Sequence, residues 1–103
     1  MATAFVFDTD SMGESDYDGL MAAMGLADLD APHPDGLLAH LAGATPGGGW
    51  RVIDVWETEA AAEAFYGSDR FAPVRDAAGA AGITSTAWPL HRVTTRDAFR
   101  ELV

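Results

Sequence analysis

One carboxylate, Asp54, stands inside a largely apolar run of strand character, Trp50-Arg51-Val52-Ile53-Asp54-Val55-Trp56. Asp54 and Trp56 are two residues apart, so both project from one face of a strand. The residue best placed to meet the carboxylate is His40, on the segment that precedes a glycine-rich turn. A histidine oriented by a carboxylate suits abstraction of a proton from a phenol, because imidazole changes charge near neutral pH. Trp56, Trp50 and Tyr17 are candidates for the aromatic wall of a pocket that takes a planar ligand. His91, near the end of the last strand, faces either that pocket or a second subunit. The competing account is purely structural: a histidine and an aspartate on a sheet also satisfy each other's buried polar groups.

Placing these groups requires the elements around them. Thr3 to Phe7 reads as a strand apolar on both faces, with Phe5 and Phe7 on one side and Ala4 and Val6 on the other. Ser15 with Asp18 resembles a capping box and opens a helix from about Asp16 to Met24. Tyr17, Leu20, Met21 and Met24 share one face of it, and Gly25 stops it. Ala27 to Gly36 is a loop, in which His33 between two prolines is expected exposed. Leu37 to Ala44 is the second strand, and Thr45-Pro46-Gly47-Gly48-Gly49 turns it into the third as a hairpin.

Closing that hairpin symmetrically pairs Ala44 with Trp50, Ala42 with Val52, His40 with Asp54 and Leu38 with Trp56. Leu38, His40, Val52, Asp54 and Trp56 then share one face, and Leu37, Ala39, Leu41, Ile53 and Val55 the other. Directly opposed side chains reach each other, so this register allows a His40–Asp54 hydrogen bond. A slip of one residue puts the two on opposite faces. Thr58 caps a second helix, Gly67-Ser68 interrupts it, and Pro73 begins a continuation to Ala81. The last strand spans about Ile83 to Val93, with a final helical turn or arm over Arg96 to Leu102.

The order β-α-β-β-α-β is the split arrangement of an α+β, ferredoxin-like domain with a four-stranded antiparallel sheet. Two helices cover one face of that sheet, yet both faces are apolar. An uncovered apolar face of this size is an association surface, so a homodimer packed sheet against sheet is expected.

The chain has 103 residues, enough for one domain over residues 1–103. Six basic and sixteen acidic residues give a formal charge of −10 and a pI near 4.3. Nucleic acid and anionic membranes demand clustered Lys or Arg, so neither is an expected partner. The absence of cysteine removes disulfides, thiolate nucleophiles and cysteine metal sites. The Asp8-to-Gly13 loop is acidic but lacks the ligand spacing of a cation loop, so no metal site is expected. With neither a signal-peptide pattern nor a membrane-length apolar run, the expectation is a cytoplasmic protein.

The stretch Asp54-Val55-Trp56-Glu57-Thr58-Glu59-Ala60 through Phe65 resembles the antibiotic biosynthesis monooxygenase-like proteins, which are small dimeric α+β barrels. Gly36-Leu37-Leu38-Ala39-His40, Gly49-Trp50 through Glu57, and Pro89-Leu90-His91 resemble its short actinobacterial members. The resemblance implies a pocket between sheet and helices, in which some relatives oxidise polyphenolic, polyketide-derived substrates with dioxygen and no cofactor. Other relatives degrade haem, and several carry a histidine on the second helix where this chain has Phe65. Phe65 thus marks a pocket position and weakens a haem reading.

The function expected is a cofactor-independent monooxygenase for an aromatic or polyketide-type small molecule, with His40 and Asp54 as the base pair. A cyclase that forms an enolate with the same pair is the alternative, as is a non-catalytic accessory dimer that binds a small molecule.

Overall fold

The computed structural model describes residues 2–28 and 30–94. Its elements are β1 (Thr3–Thr9), α1 (Glu14–Ala23), β2 (Leu37–Ala44), β3 (Trp50–Trp56), α2 (Glu59–Tyr66), a 3-10 turn (Asp69–Phe71), α3 (Ala72–Ala81) and β4 (Thr84–Pro89). The strands form one antiparallel sheet in the order β2-β3-β1-β4, the ferredoxin-like arrangement. None of the described helices is long and apolar enough to cross a membrane.

The β2–β3 hairpin sets the register. Thr45 ties the turn together: its N–H donates to the Gly49 carbonyl at 2.9 Å, and its hydroxyl accepts from the Gly49 N–H at 3.0 Å. A Cβ on Gly49 would lie 2.7 Å from the Thr9 carbonyl oxygen, so the turn can close against β1 only with glycine there. Ala44 faces Trp50, Ala42 faces Val52, and His40 faces Asp54, as the symmetric closure requires. The far end differs from expectation. Leu37, not Leu38, takes Trp56 as its partner, because the register shifts between Leu37 and Ala39. The extra residue is a bulge that follows Gly36, whose φ of 84° bends the chain into the strand.

Three helix boundaries follow local capping chemistry. α1 starts two residues before the expected Asp16. Gly13 is its N-cap, and the Gly13 N–H donates to the Asp16 carboxylate at 3.0 Å, so the pair is Gly13 and Asp16 rather than Ser15 and Asp18. Thr58 caps α2 by accepting the Ala61 N–H at 3.1 Å. At the other end, Arg75 donates to the Tyr66 and Ser68 carbonyls, placing a cation at the negative end of α2. β4 is shorter than expected. Its last residue, Pro89, has no N–H for the ladder, and Leu90 adds one further bond to the Ala2 carbonyl. The turn or arm expected over Arg96 to Leu102 lies outside the described residues.

Cross-strand pairing puts Phe5, Asp54 and His40 in one row and Phe7, Val52 and Ala42 in the next, on the face that carries the helices. Tyr66 of α2 lies across these rows, with ring centroids 5.2 Å from Phe5, 5.4 Å from Phe7, 5.5 Å from Trp56 and 4.9 Å from Phe71. Trp56 and Ala62 are fully buried beneath this cluster. The inward face of α1 is the expected one: Tyr17, Leu20 and Met21 are half-buried, and Met24 just beyond the helix is buried. His33 is half-buried instead of exposed. The opposite sheet face carries Val6, Ile53 and Leu41 in one row and Ala4, Val55 and Trp88 in another. There Leu41 is 54% exposed and Trp88 43% exposed, so this face presents large apolar side chains to solvent.

Candidate active site

Four elements deliver polar side chains to one line between the sheet and the helices. From β2, His40 places Nδ1 2.5 Å from Asp54 Oδ1 on β3. From α1, the Tyr17 hydroxyl lies 2.5 Å from His40 Nε2. From α2, the Tyr66 hydroxyl donates to Asp54 Oδ2 at 2.9 Å and accepts the Trp56 Nε1–H at 2.9 Å. The result is a continuous chain, Tyr17–His40–Asp54–Tyr66–Trp56.

Donor and acceptor rules orient that chain. Trp56 can only donate, so the Tyr66 oxygen accepts from it and its hydroxyl proton points at Asp54. A carboxylate can only accept, so His40 carries a proton on Nδ1. In the neutral ring, Nε2 is then a lone pair that accepts from Tyr17. Both Asp54 oxygens are occupied, which fits a carboxylate whose side chain is only 10% accessible. Burial, followed by the negative charge of Asp54, pushes the Tyr66 phenol well above the ordinary tyrosine range, against the opposing bond from Trp56. Tyr66 is therefore a fixed donor.

Accessibility falls from His40 to Asp54. The His40 side chain is 21% accessible, and Tyr17 is half-buried with its ring plane 14° from that of His40. Trp50 also contacts Tyr17, at 5.3 Å between centroids, and lines a surface hollow of about 470 Å³ with Met12, Glu14 and Ala44. Its Nε1–H is buried and has no hydrogen-bond partner among the described residues. A second hollow, about 580 Å³, lies between the α1 face and Ala77.

Neither hollow is lined by His40, Asp54 or Trp56. Beside Asp54 and Trp56 the space holds Tyr66 and Phe65, with the Phe65 ring 5.7 Å from Trp56 and 5.5 Å from Phe71. Of the residues singled out in the sequence, His40, Asp54, Tyr17 and Trp50 come together, and Trp56 joins through Tyr66. Phe65 belongs to the packed aromatic cluster, and His91 is exposed beyond β4. Tyr66 was the residue that sequence reasoning passed over. Its signal was faint: a polar aromatic at the end of an alanine-rich helix, beside Phe65. Among the described residues, no three His, Asp or Glu side chains converge as a metal-binding group.

The same architecture occurs in solved structures. Rv0793 from Mycobacterium tuberculosis superposes with a TM-score of 0.71 at 17% identity, over 91% of this chain and all of that one. SnoaB from Streptomyces nogalater, a cofactor-independent oxygenase, gives 0.68 at 14% identity over 92% of this chain and 98% of its own. The chain shares their fold. The monooxygenase ActVA-Orf6 from Streptomyces coelicolor, solved with nanaomycin D, gives 0.64 at 18% identity over 93% of each chain. Antibiotic biosynthesis monooxygenase-like proteins are thus among the structural neighbours, in keeping with the resemblance seen in the sequence. No protein-family model matches the chain, and no curated protein matches it.

Proposed function

We propose that the protein is an antibiotic biosynthesis monooxygenase-like enzyme that oxidises a small aromatic or polyketide-type phenol with dioxygen and no cofactor. The observation that carries this reading is the His40–Asp54 hydrogen bond, with a phenol hydroxyl, that of Tyr17, already resting against Nε2. That contact marks how a substrate hydroxyl would be received. The fold shared with SnoaB and ActVA-Orf6 supports the same class of chemistry.

In this reading His40 Nε2 takes the substrate's phenolic proton, and Asp54 stabilises the imidazolium that forms. The phenolate is electron-rich enough to react with dioxygen directly. One oxygen atom enters the ring as a carbonyl; the other leaves as water with two hydrogens from the substrate, so no outside reductant is needed. Tyr17 and Trp50 present aromatic surface to the ring, and Trp56 and Phe65 hold that end of the site in shape.

The test is oxygen uptake with a hydroxylated naphthalene as probe. The wild-type chain consumes one dioxygen per quinone formed, and His40→Ala lowers the rate on the order of a hundredfold or more. Saturable binding without uptake in the wild type would replace the enzyme with a binding protein. Ring closure of a polyketide-type probe without uptake would make it a cyclase.

The open sheet face supports a homodimer, since Leu41, Ile53, Val55 and Trp88 there have no covering helix among the described residues. Solution mass at micromolar concentration is expected at twice 10.8 kDa.

A further inference from the structure

The second oxygen of Asp54 is held by a hydroxyl that no proton transfer uses. Tyr66 is central in the aromatic cluster, yet its one polar atom is spent on two bonds, from Trp56 Nε1–H and to Asp54 Oδ2, both at 2.9 Å. A phenol in that position could have been a phenylalanine for packing alone. Five ring contacts fix its orientation: Phe5, Phe7, Trp56, Phe65 and Phe71. The donor that Tyr66 aims at the carboxylate is therefore as rigid as the core itself.

We propose that Tyr66, backed by Trp56, is a positioning residue that clamps Asp54 so that His40 carries its proton on Nδ1 and keeps Nε2 unprotonated. This rests on the reading of His40 as the base and adds what sets its tautomer. Imidazole free in water favours the proton on Nε2, the nitrogen that must be unprotonated to accept a substrate proton. A carboxylate fixed at the Nδ1 side reverses that preference. Free to turn about its own side-chain bonds, the carboxylate would hold Nδ1 less well. With Oδ2 pinned, Oδ1 has one place to be. The phenol cannot give up its proton to become a competing anion, since burial and Asp54 both oppose ionisation. Trp56 adds polarity from behind and fixes the hydroxyl rotor, because its N–H can only donate.

The experiment compares wild type, Tyr66→Phe and Trp56→Phe by nitrogen NMR of the histidine rings, with the His40 signals assigned by their loss in His40→Ala. The wild-type ring is expected as the Nδ1–H tautomer. Tyr66→Phe is expected to convert it to a mixture with Nε2–H, and Trp56→Phe to shift it the same way by less. With a turnover assay in hand, Tyr66→Phe lowers kcat on the order of tenfold with KM little changed, the loss expected for one hydrogen bond to a charged group. A His40 spectrum unchanged in Tyr66→Phe overturns the proposal, even where thermal stability falls, because then the hydroxyl serves packing only. A wild-type ring already in the Nε2–H form overturns it too. The NMR readout needs no substrate, so failure of the oxygenase reading would not be mistaken for failure of the clamp.

Discussion

Asp54 is the residue with the most to lose from a single-atom change. Asp54→Asn keeps the shape but replaces one accepting oxygen by an NH₂ that faces either the His40 N–H or the Tyr66 hydroxyl. With the NH₂ toward Tyr66 the phenol proton loses its acceptor, and with the NH₂ toward His40 the ring must move its proton to Nε2; the expected cost is about 1–3 kcal/mol, which urea unfolding would measure. Tyr66 offers a pH test with a definite sign. The unfolded chain releases this proton at about pH 10, whereas the folded chain retains it to higher pH. Above about pH 10 the unfolded state binds fewer protons, so stability present at lower pH is lost as pH rises. Of the two tyrosines, spectrophotometric titration should show Tyr66 ionising only as the protein unfolds. At this scale the His40–Asp54 pair was legible because the symmetric closure expected of the turn is the register the sheet adopts. Tyr66 was not, because its distance from Asp54 depends on how α2 lies on the sheet, and no sequence periodicity encodes that.

Elements were legible where the turn or cap residue had one structural meaning, and displaced where two neighbours competed for the role. The five-residue turn after Ala44 closes symmetrically, as expected. At α1 the expected start at Ser15 gives way to Gly13, whose N–H finds its acceptor on Asp16. The bulge at Leu38 was hidden because Leu37 and Leu38 are identical side chains, so a shift between them leaves no mark in the pattern. Gly49 carries the strictest element-level demand. Gly49→Ala drives a methyl to 2.7 Å from the Thr9 carbonyl oxygen and 2.8 Å from Asp10 Oδ1. Relief requires parting the turn from β1, and we expect about 1–3 kcal/mol lost, read as a lowered denaturation midpoint. Thr58→Ala, by contrast, removes only the cap of α2 and is expected to cost about 1 kcal/mol by the same measurement.

For the molecule as a whole, composition made both sheet faces equally apolar, so the strand pattern alone could not say which would receive the helices. The aromatic residues settled it: Tyr66 and Phe65 pack on the Phe5, Phe7 and Trp56 side and leave Leu41 and Trp88 outward. Leu41→Asp should leave circular dichroism unchanged and yield a particle of half the mass, if the bare face is where two copies meet. A last consequence concerns how α1 is fastened. None of the residues Glu14–Ala23 is fully buried, and the helix is moored at its two ends by polar ties. One is Tyr17 on His40; the other is Arg70, whose guanidinium reaches the Met24 carbonyl at 2.7 Å and the Gly25 carbonyl at 3.2 Å. Cutting the distant mooring with Arg70→Ala should let α1 amides exchange with deuterium sooner than those of β3. The loosened helix would carry the Tyr17 hydroxyl off its histidine, so a guanidinium that touches nothing reactive governs how often the imidazole stands uncovered.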